Sequence, residues 1–326
     1  MSTRRDDVAW RARYKTICAD GGSGLLHDHA THHVSVETSL GRIYGRDDWV
    51  AALVTEAAGL AGGQTEDARG WIGTSGSAHA VVLELDWAVD HTGDSPLFGR
   101  ATGRQAILSS TMIGLVEGDR VYRAWRFVDH AAAGRTVGVD IEALARALAA
   151  RAPRRGGIPW EFGEVRPALG QVAPPASAPP PPGLGPRQAA PYLAWQAAWN
   201  QRRFDRLGSC YADDATVFSG AESMDVGSPR HPWRRIVEAC PHAVLFLERA
   251  VTGLDEGGDE RVALLWRWIG TKTGNDLGPA CGRRLHVRGV SVLAVRDGRI
   301  GNERVVFDEL GVRRDATLRT IDEERR

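Results

Sequence analysis

Hydrophobic positions along the chain recur with two periods, and the period changes in the same order twice. Tyr192, Trp195 and Trp199 stand at i, i+3 and i+7, one face of a helix opened by Pro191. Trp49, Leu53, Ala57 and Leu60 repeat this rule behind Asp47 or Asp48 as N-cap. Residues 140–152 predict a further helix, with Ile141, Leu144, Ala145 and Leu148 on one face and Asp140 as cap. Elsewhere the period is two. Residues 79–91 alternate an apolar set (Val81, Leu83, Leu85, Trp87, Val89) with one that carries Glu84, Asp86 and Asp90, which predicts a strand with an apolar and an acidic face. Residues 261–272 form a matching strand that is apolar on both faces. Two hairpins follow: 104–116 with 120–129 around Glu117-Gly118-Asp119, and 283–296 with 299–308 around Arg296-Asp297-Gly298. Helices first and a long antiparallel sheet afterwards predict an α+β cone, not a doubly wound fold.

These two series are an internal repeat. Trp87 leads to His91-Thr92-Gly93 as Trp268 leads to Lys272-Thr273-Gly274, and Gly103-Arg104 lines up with Gly282-Arg283. From there the match runs without a gap to Asp129 and Asp308. Upstream, Arg46 and Trp49 pair with Arg230 and Trp233, and Asp28-His29-Ala30-Thr31 with Asp213-Asp214-Ala215-Thr216. Between the halves, residues 167–186 hold eight of the sixteen prolines and read as a semi-rigid spacer. The expected organisation is a domain at 1–155, a Pro-rich linker at 156–188 and a second domain at 189–326.

Composition narrows the function. Acidic and basic residues both number 41, so the chain lacks the basic excess with which nucleic-acid binders neutralise phosphates. Cys18, Cys210, Cys240 and Cys281 show no metal-binding spacing and read as reduced thiols. MSTRRDDVAW has no apolar run behind its arginines, and no stretch has the length of a membrane span. A soluble, cytoplasmic protein is expected.

The stretches DHTGDSPLFGRATGR…EGDRVYRAWRFVDH and KTGNDLGPACGRRLHV…RDGRIGNERVVFDE resemble the SnoaL-like polyketide cyclase branch of the nuclear transport factor 2-like superfamily. The resemblance covers about 100 residues of each half. It implies two cone-shaped α+β domains, each a curved antiparallel sheet wrapped around N-terminal helices and enclosing an apolar pocket. Because single-domain members commonly dimerise through their sheets, it also implies a pseudo-dimer within one chain, with further homo-oligomers open. Relatives include cyclases, dehydratases and isomerases that use no cofactor, and proteins without catalysis.

Cofactor-free chemistry in an apolar cone needs a tuned acid or base and groups that stabilise an enolate. The resemblance points to an Asp on the late strands, here Asp129 and Asp308, which read equally as strand-end caps or ion-pair partners. Mid-strand, where the family carries an acid, stand Arg126 and Val305, with Glu303 two residues earlier. His91 shares a strand face with Trp87 and Leu85; it sits at the cone's mouth if that face lines the cone, or else in a surface turn, and Lys272 is its counterpart. In His27-Asp28-His29-Ala30-Thr31-His32-His33, either His32 or His33 is a candidate base, or the run is a hydrated surface stretch. HxH on a strand suits a metal, but no further ligands follow at diagnostic spacing, so none is assigned. Trp10, Trp49, Trp195, Trp199 and Trp233 read as core. Trp87, Trp125 and Trp268 read as walls for an aromatic ligand, with Tyr44 as a contact or a helix-opening structural residue.

The leading expectation is a cofactor-independent lyase, cyclase, dehydratase or isomerase acting on a small, mostly apolar or polyketide-like molecule. Asp129 would be its acid/base, assisted by His91 and by His32 or His33, and the first half would hold the working pocket. Asp308, Glu303, Trp268 and Lys272 are the second-pocket candidates. The alternative is a non-catalytic protein that binds a small ligand in the same cone.

Overall fold

The computed structural model describes residues 3–38, 41–151, 154–155, 158–159, 180–220, 222–282 and 284–324. The first half runs α1 (Thr3–Cys18), α2 (Leu26–His29), β1 (Ala30–Thr38), β2 (Gly41–Tyr44), α3 (Arg46–Ala57), β3 (Leu60–Ser75), β4 (Ala78–His91), β5 (Gln105–Glu117), β6 (Arg120–Val128), α4 (His130–Thr136) and α5 (Ile141–Arg151). A two-residue ladder pairs β7 (Arg154–Arg155) with β8 (Ile158–Pro159). The second half runs α6 (Pro186–Asn200), α7 (Leu207–Cys210), β9 (Tyr211–Ser219), β10 (Glu222–Asp225), α8 (Pro232–Ala239), β11 (Val244–Leu254), β12 (Glu260–Thr271), β13 (Arg284–Arg296), β14 (Arg299–Phe307) and α9 (Glu309–Glu324). Most of the expected linker, residues 160–179, lies outside the described residues.

Among the described residues, twelve strands form one mixed sheet in the order β10-β9-β14-β13-β12-β11-β3-β4-β5-β6-β1-β2. Read outward from its centre, the order is the same on both sides. The sheet is not wholly antiparallel: β1 runs parallel to β6, and β9 parallel to β14. The halves join where β3 meets β11, at Thr74 opposite Thr252 and Gly73 opposite Gly253. A side chain at Gly73 would begin 2.2 Å from the Thr252 carbonyl oxygen, so only glycine permits this approach.

Alternation along β4 works out as the sequence predicts. Val81, Leu83, Leu85, Trp87 and Val89 enter the core of the first half. Ala80 and Val82 face the other way, into a second core shared with Val251, Leu265, Val290 and Val306 of the second half. Glu84 and Asp86 on that face meet Arg304 of β14. Glu37, with only 3% of its surface exposed, likewise accepts from Arg42 and Arg123 of its own half and from Arg288 of the other. A third core fills the second half.

Several boundaries differ from expectation, each for a local reason. Leu60 opens β3 instead of closing α3, because Gly59 (φ +80°) turns the chain there. The N-cap of α3 is Gly45, which leaves Asp47 and Asp48 in the first turn, where carboxylates suit the positive end of the helix dipole. Helix α6 begins at Pro186, not Pro191. Asp140 caps α5 as expected, accepting from the Glu142 and Ala143 amides. Tyr211 takes the place of Ala30, since Ala30 pairs with Val121 as Tyr211 pairs with Ile300. The match of Ala30 to Ala215 is therefore four residues out of register. All four cysteines are free thiols, and no helix among the described residues is long and apolar enough to cross a membrane.

Candidate functional site

A cavity of about 240 Å³ opens to solvent in the first half, between the C-terminal ends of α1 and α3 and strands β3 to β5. Leu53, Leu60, Trp87, Val89 and Leu108 give it apolar walls, Cys18 and Glu56 are polar groups of its lining, and Asp20, Gly21 and Gly62 are exposed at its rim. Helical spacing puts Glu56 here, at i+7 from Trp49 and i+3 from Leu53 on the buried face of α3.

Behind Glu56 lies a buried polar cluster. On β6, Ala124, Arg126 and Val128 share the inward face, and Arg126 is 3% exposed. Its guanidinium donates to both oxygens of Glu56, Nη1 to Oε2 at 2.6 Å and Nη2 to Oε1 at 3.0 Å. Its Nε donates to the Tyr14 hydroxyl at 3.1 Å. Nε2 of His130, the first residue of α4, lies 3.5 Å from Glu56 Oε1. Burial alone would raise the Glu56 pKa, but the Arg126 charge, with His130, holds the carboxyl well below its ordinary range. Burial pushes the Tyr14 hydroxyl and the Cys18 thiol up, so both keep their protons. The site thus offers an ionised carboxylate, a fixed cation behind it and neutral donors, beside an apolar wall.

The same position in the second half is closed. Trp195, Trp199, Trp233, Trp266 and Trp268 have no exposed surface, and the Trp233 ring lies within 4.3–5.7 Å, centroid to centroid, of the other four. Among them sits Glu303, also fully buried. Tyr211 Oη donates to it and receives from Trp195 Nε1 at 2.8 Å. Ser291 Oγ donates to it at 2.6 Å and receives from Trp266 Nε1 at 3.1 Å. The register of β14 puts Val305 where β6 has Arg126, and Glu303 where β6 has Ala124. With no guanidinium, burial pushes Glu303 up to about 7, and burial holds nearby His231 down at about 3.

Of the expected site residues, Trp87 lines the first-half cavity. Leu85 lies on the same strand face, packed in the core and 1% exposed. Asp129 is not in the cavity: it caps α4, its Oδ1 accepting from the Ala132 amide at 2.9 Å. Asp308 does the same for α9 through Gly311 at 2.7 Å. The strand ends where its last carboxylate turns to start a helix, and burial raises both pKa values, Asp308 to about 7. His91 is fully buried rather than at a mouth: Nδ1 sits 3.2 Å from Thr102 Oγ1, and its carbonyl receives the Thr102 and Gly103 amides. Lys272 is its counterpart, with a carbonyl that receives the Cys281 and Gly282 amides and an Nζ that donates to the Gly274 and Gly278 carbonyls. Both tie down a loop.

Trp125 points away from the first-half core into the shared core, between the guanidiniums of Arg123 and Arg249, on the same face of β6 as Phe127. Trp268 belongs to the tryptophan plug. His32, His33 and Tyr44 are exposed and line a separate cleft with Arg46, Asp47 and Asp48, since β1 and β2 form the sheet's outer edge. Among the described residues no three His, Cys, Asp or Glu side chains gather as metal ligands. Sequence reasoning missed Glu56, Tyr14 and His130. The available signal was a charge on an otherwise apolar helix face, opposite Arg126 at an inward strand position.

Comparison with known proteins bears on one half directly. No curated protein matches the chain. Several solved structures align with part of it. TsrD from Streptomyces laurentii is 23% identical over 41% of this chain and 97% of its own, with a TM-score of 0.35. IdmH from Streptomyces antibioticus is 20% identical over 40% and 98%, with a TM-score of 0.33. AclR from Streptomyces galilaeus is 20% identical over 37% and 74%, at 0.32. A family model described as a SnoaL-like domain matches residues 192–302, so the second half of the chain contains one SnoaL-like domain.

Proposed function

We propose that the chain is a tandem pair of SnoaL-like domains, 1–155 and 189–326, joined sheet to sheet as an internal pseudo-dimer, and that only the first keeps a working pocket. The identical strand order on either side of the β3–β11 join and the shared apolar core support the pairing. The observation that carries the functional reading is the contrast of interiors. One is an apolar cavity ending on an ionised carboxylate, and the other is filled by five tryptophans.

In this reading the protein is a cofactor-independent acid/base enzyme for a small, mostly apolar carbonyl compound, and Glu56 replaces Asp129 as the base. Glu56 takes a proton from the carbon beside the carbonyl, and the C–H electron pair moves onto the carbonyl oxygen as an enolate. Return of that proton to another substrate atom completes an isomerisation. Its departure with a β-hydroxyl group completes a dehydration, releasing water. Neither route needs an oxidant or a cofactor.

One observation favours a second reading, a binding protein without catalysis. The two-pronged Arg126 pair stabilises the Glu56 carboxylate and so makes it a weak base. Proton exchange separates the two. Small aromatic ketones and β-hydroxyketones are incubated with the protein in D2O, and deuterium uptake beside the carbonyl is followed by mass spectrometry. Uptake that Glu56→Gln abolishes supports the enzyme. Binding without uptake supports the second reading. Uptake unchanged in Glu56→Gln contradicts the role of Glu56.

A further inference from the structure

We infer that the first-half pocket selects a ligand that carries a positively charged amine on a small aromatic or branched apolar body, with the ammonium group at the pocket's mouth. This inference rests on the pocket reading above and adds the ligand's charge and size.

The electrostatic case begins with direction. Helices α1 and α3 both end at the pocket: Cys18, the last residue of α1, lines it, and so do Leu53, Glu56 and Ala57 from the last two turns of α3. A helix C-terminus presents carbonyl oxygens equivalent to about half a negative charge, and here two converge. The carboxylates of Asp20 and Glu56 add to them, and Asp90 stands behind the rim, with Oδ2 3.3 Å from the point where a Cβ on Gly62 would sit. Among the described residues no Lys, Arg or His lines the cavity. Arg126 lies behind Glu56 and offsets that one carboxylate, and Lys15 is the one basic residue in the last turn of α1. Lys15 offsets the end of α1, while the last turn of α3 has no basic residue, so Asp20, Asp90 and the α3 end leave the field at the opening negative.

Size sets the rest. An apolar cavity of about 150 Å³ takes benzene, so about 240 Å³, open at one end, holds one ring with a short arm. An arm of two carbons brings an amine back toward Asp20 while the ring rests among Trp87, Val89 and Leu108.

The test uses three probes of one shape, 2-phenylethylammonium, 2-phenylethanol and phenylacetate, titrated calorimetrically into the full chain at low ionic strength. The ammonium is expected to bind roughly tenfold tighter than the alcohol, and the carboxylate more weakly than either. Asp20→Asn and added salt should each shrink the ammonium's advantage several-fold while leaving the alcohol unchanged. Leu60→Trp, which fills the cavity, should abolish all binding. An alcohol that binds as tightly as the ammonium, or an advantage untouched by both Asp20→Asn and salt, overturns the charge inference alone. If none of the three probes binds, or Leu60→Trp leaves binding intact, the pocket reading fails and this inference with it.

Discussion

The two interiors of this chain solve one problem in opposite ways. Each buries a glutamate among tryptophan and aliphatic side chains. In the first half Arg126 stands beside the carboxylate, which stays ionised next to an open cavity. In the second half valine stands at that strand position. The carboxylate is met only by neutral donors, and the space is filled with rings. A buried acid needs a counter-charge or its own proton. Arg126 on β6 and Val305 at the matching position of β14 mark that choice, one beside a charged site and the other beside a sealed core.

The comparison can be broken from either side. The largest effect is expected from Trp233→Ala, which removes the ring that touches the other four. Such truncations cost about 3–5 kcal/mol, so the urea midpoint should fall sharply. The variant should also gain an apolar cavity that binds benzene, making the closed interior resemble the open one. Arg126→Leu should cost about 3–5 kcal/mol as well, because it leaves the buried Glu56 carboxylate with only His130 beside it. Adding Glu56→Leu to it should recover most of that loss in the same unfolding experiment.

Next comes pH. Glu303 has its pKa raised from 4.5 to about 7 by burial, and at 1.36 kcal/mol per unit this amounts to about 3 kcal/mol. Because the folded-state value is the higher one, this stability is fully present below pH 4.5 and is lost as pH rises through 7. Asp308, raised to about 7, acts in the same direction. Glu303→Gln should flatten the decline and exceed the wild type in stability at pH 8, read by thermal unfolding across pH. The smallest effect is expected from Asp140→Ala, which removes the α5 cap at a cost of about 1 kcal/mol and leaves both interiors unchanged.

Much of the fold was legible because it rests on periodicity. The alternation of residues 79–91 placed Val81, Leu83, Leu85 and Trp87 in one core, and it marked Glu84 and Asp86 as an acidic face that Arg304 completes. The match of His91 to Lys272 was legible because both side chains are buried, and the carbonyl of each accepts two loop amides. Strands β3 and β11 were harder to see. Glycines such as Gly73 and Gly253 interrupt their patterns, and what fixes them is the pairing across the centre of the sheet. The site was the least legible part. Asp129 and Asp308 sit where a late-strand acid is expected, but each turns to cap the following helix. The carboxylate that reaches the pocket comes from a helix, and only three-dimensional packing brings Glu56 of α3 to Arg126 of β6.

The central claim is that one interior is open and the other is not. Calorimetric stoichiometry tests it most directly, with 2-phenylethanol titrated into the wild type, Leu60→Trp and Trp233→Ala. The account expects one molecule per chain in the wild type, none in Leu60→Trp and two in Trp233→Ala. Two molecules per wild-type chain, or one molecule that survives Leu60→Trp, would contradict it.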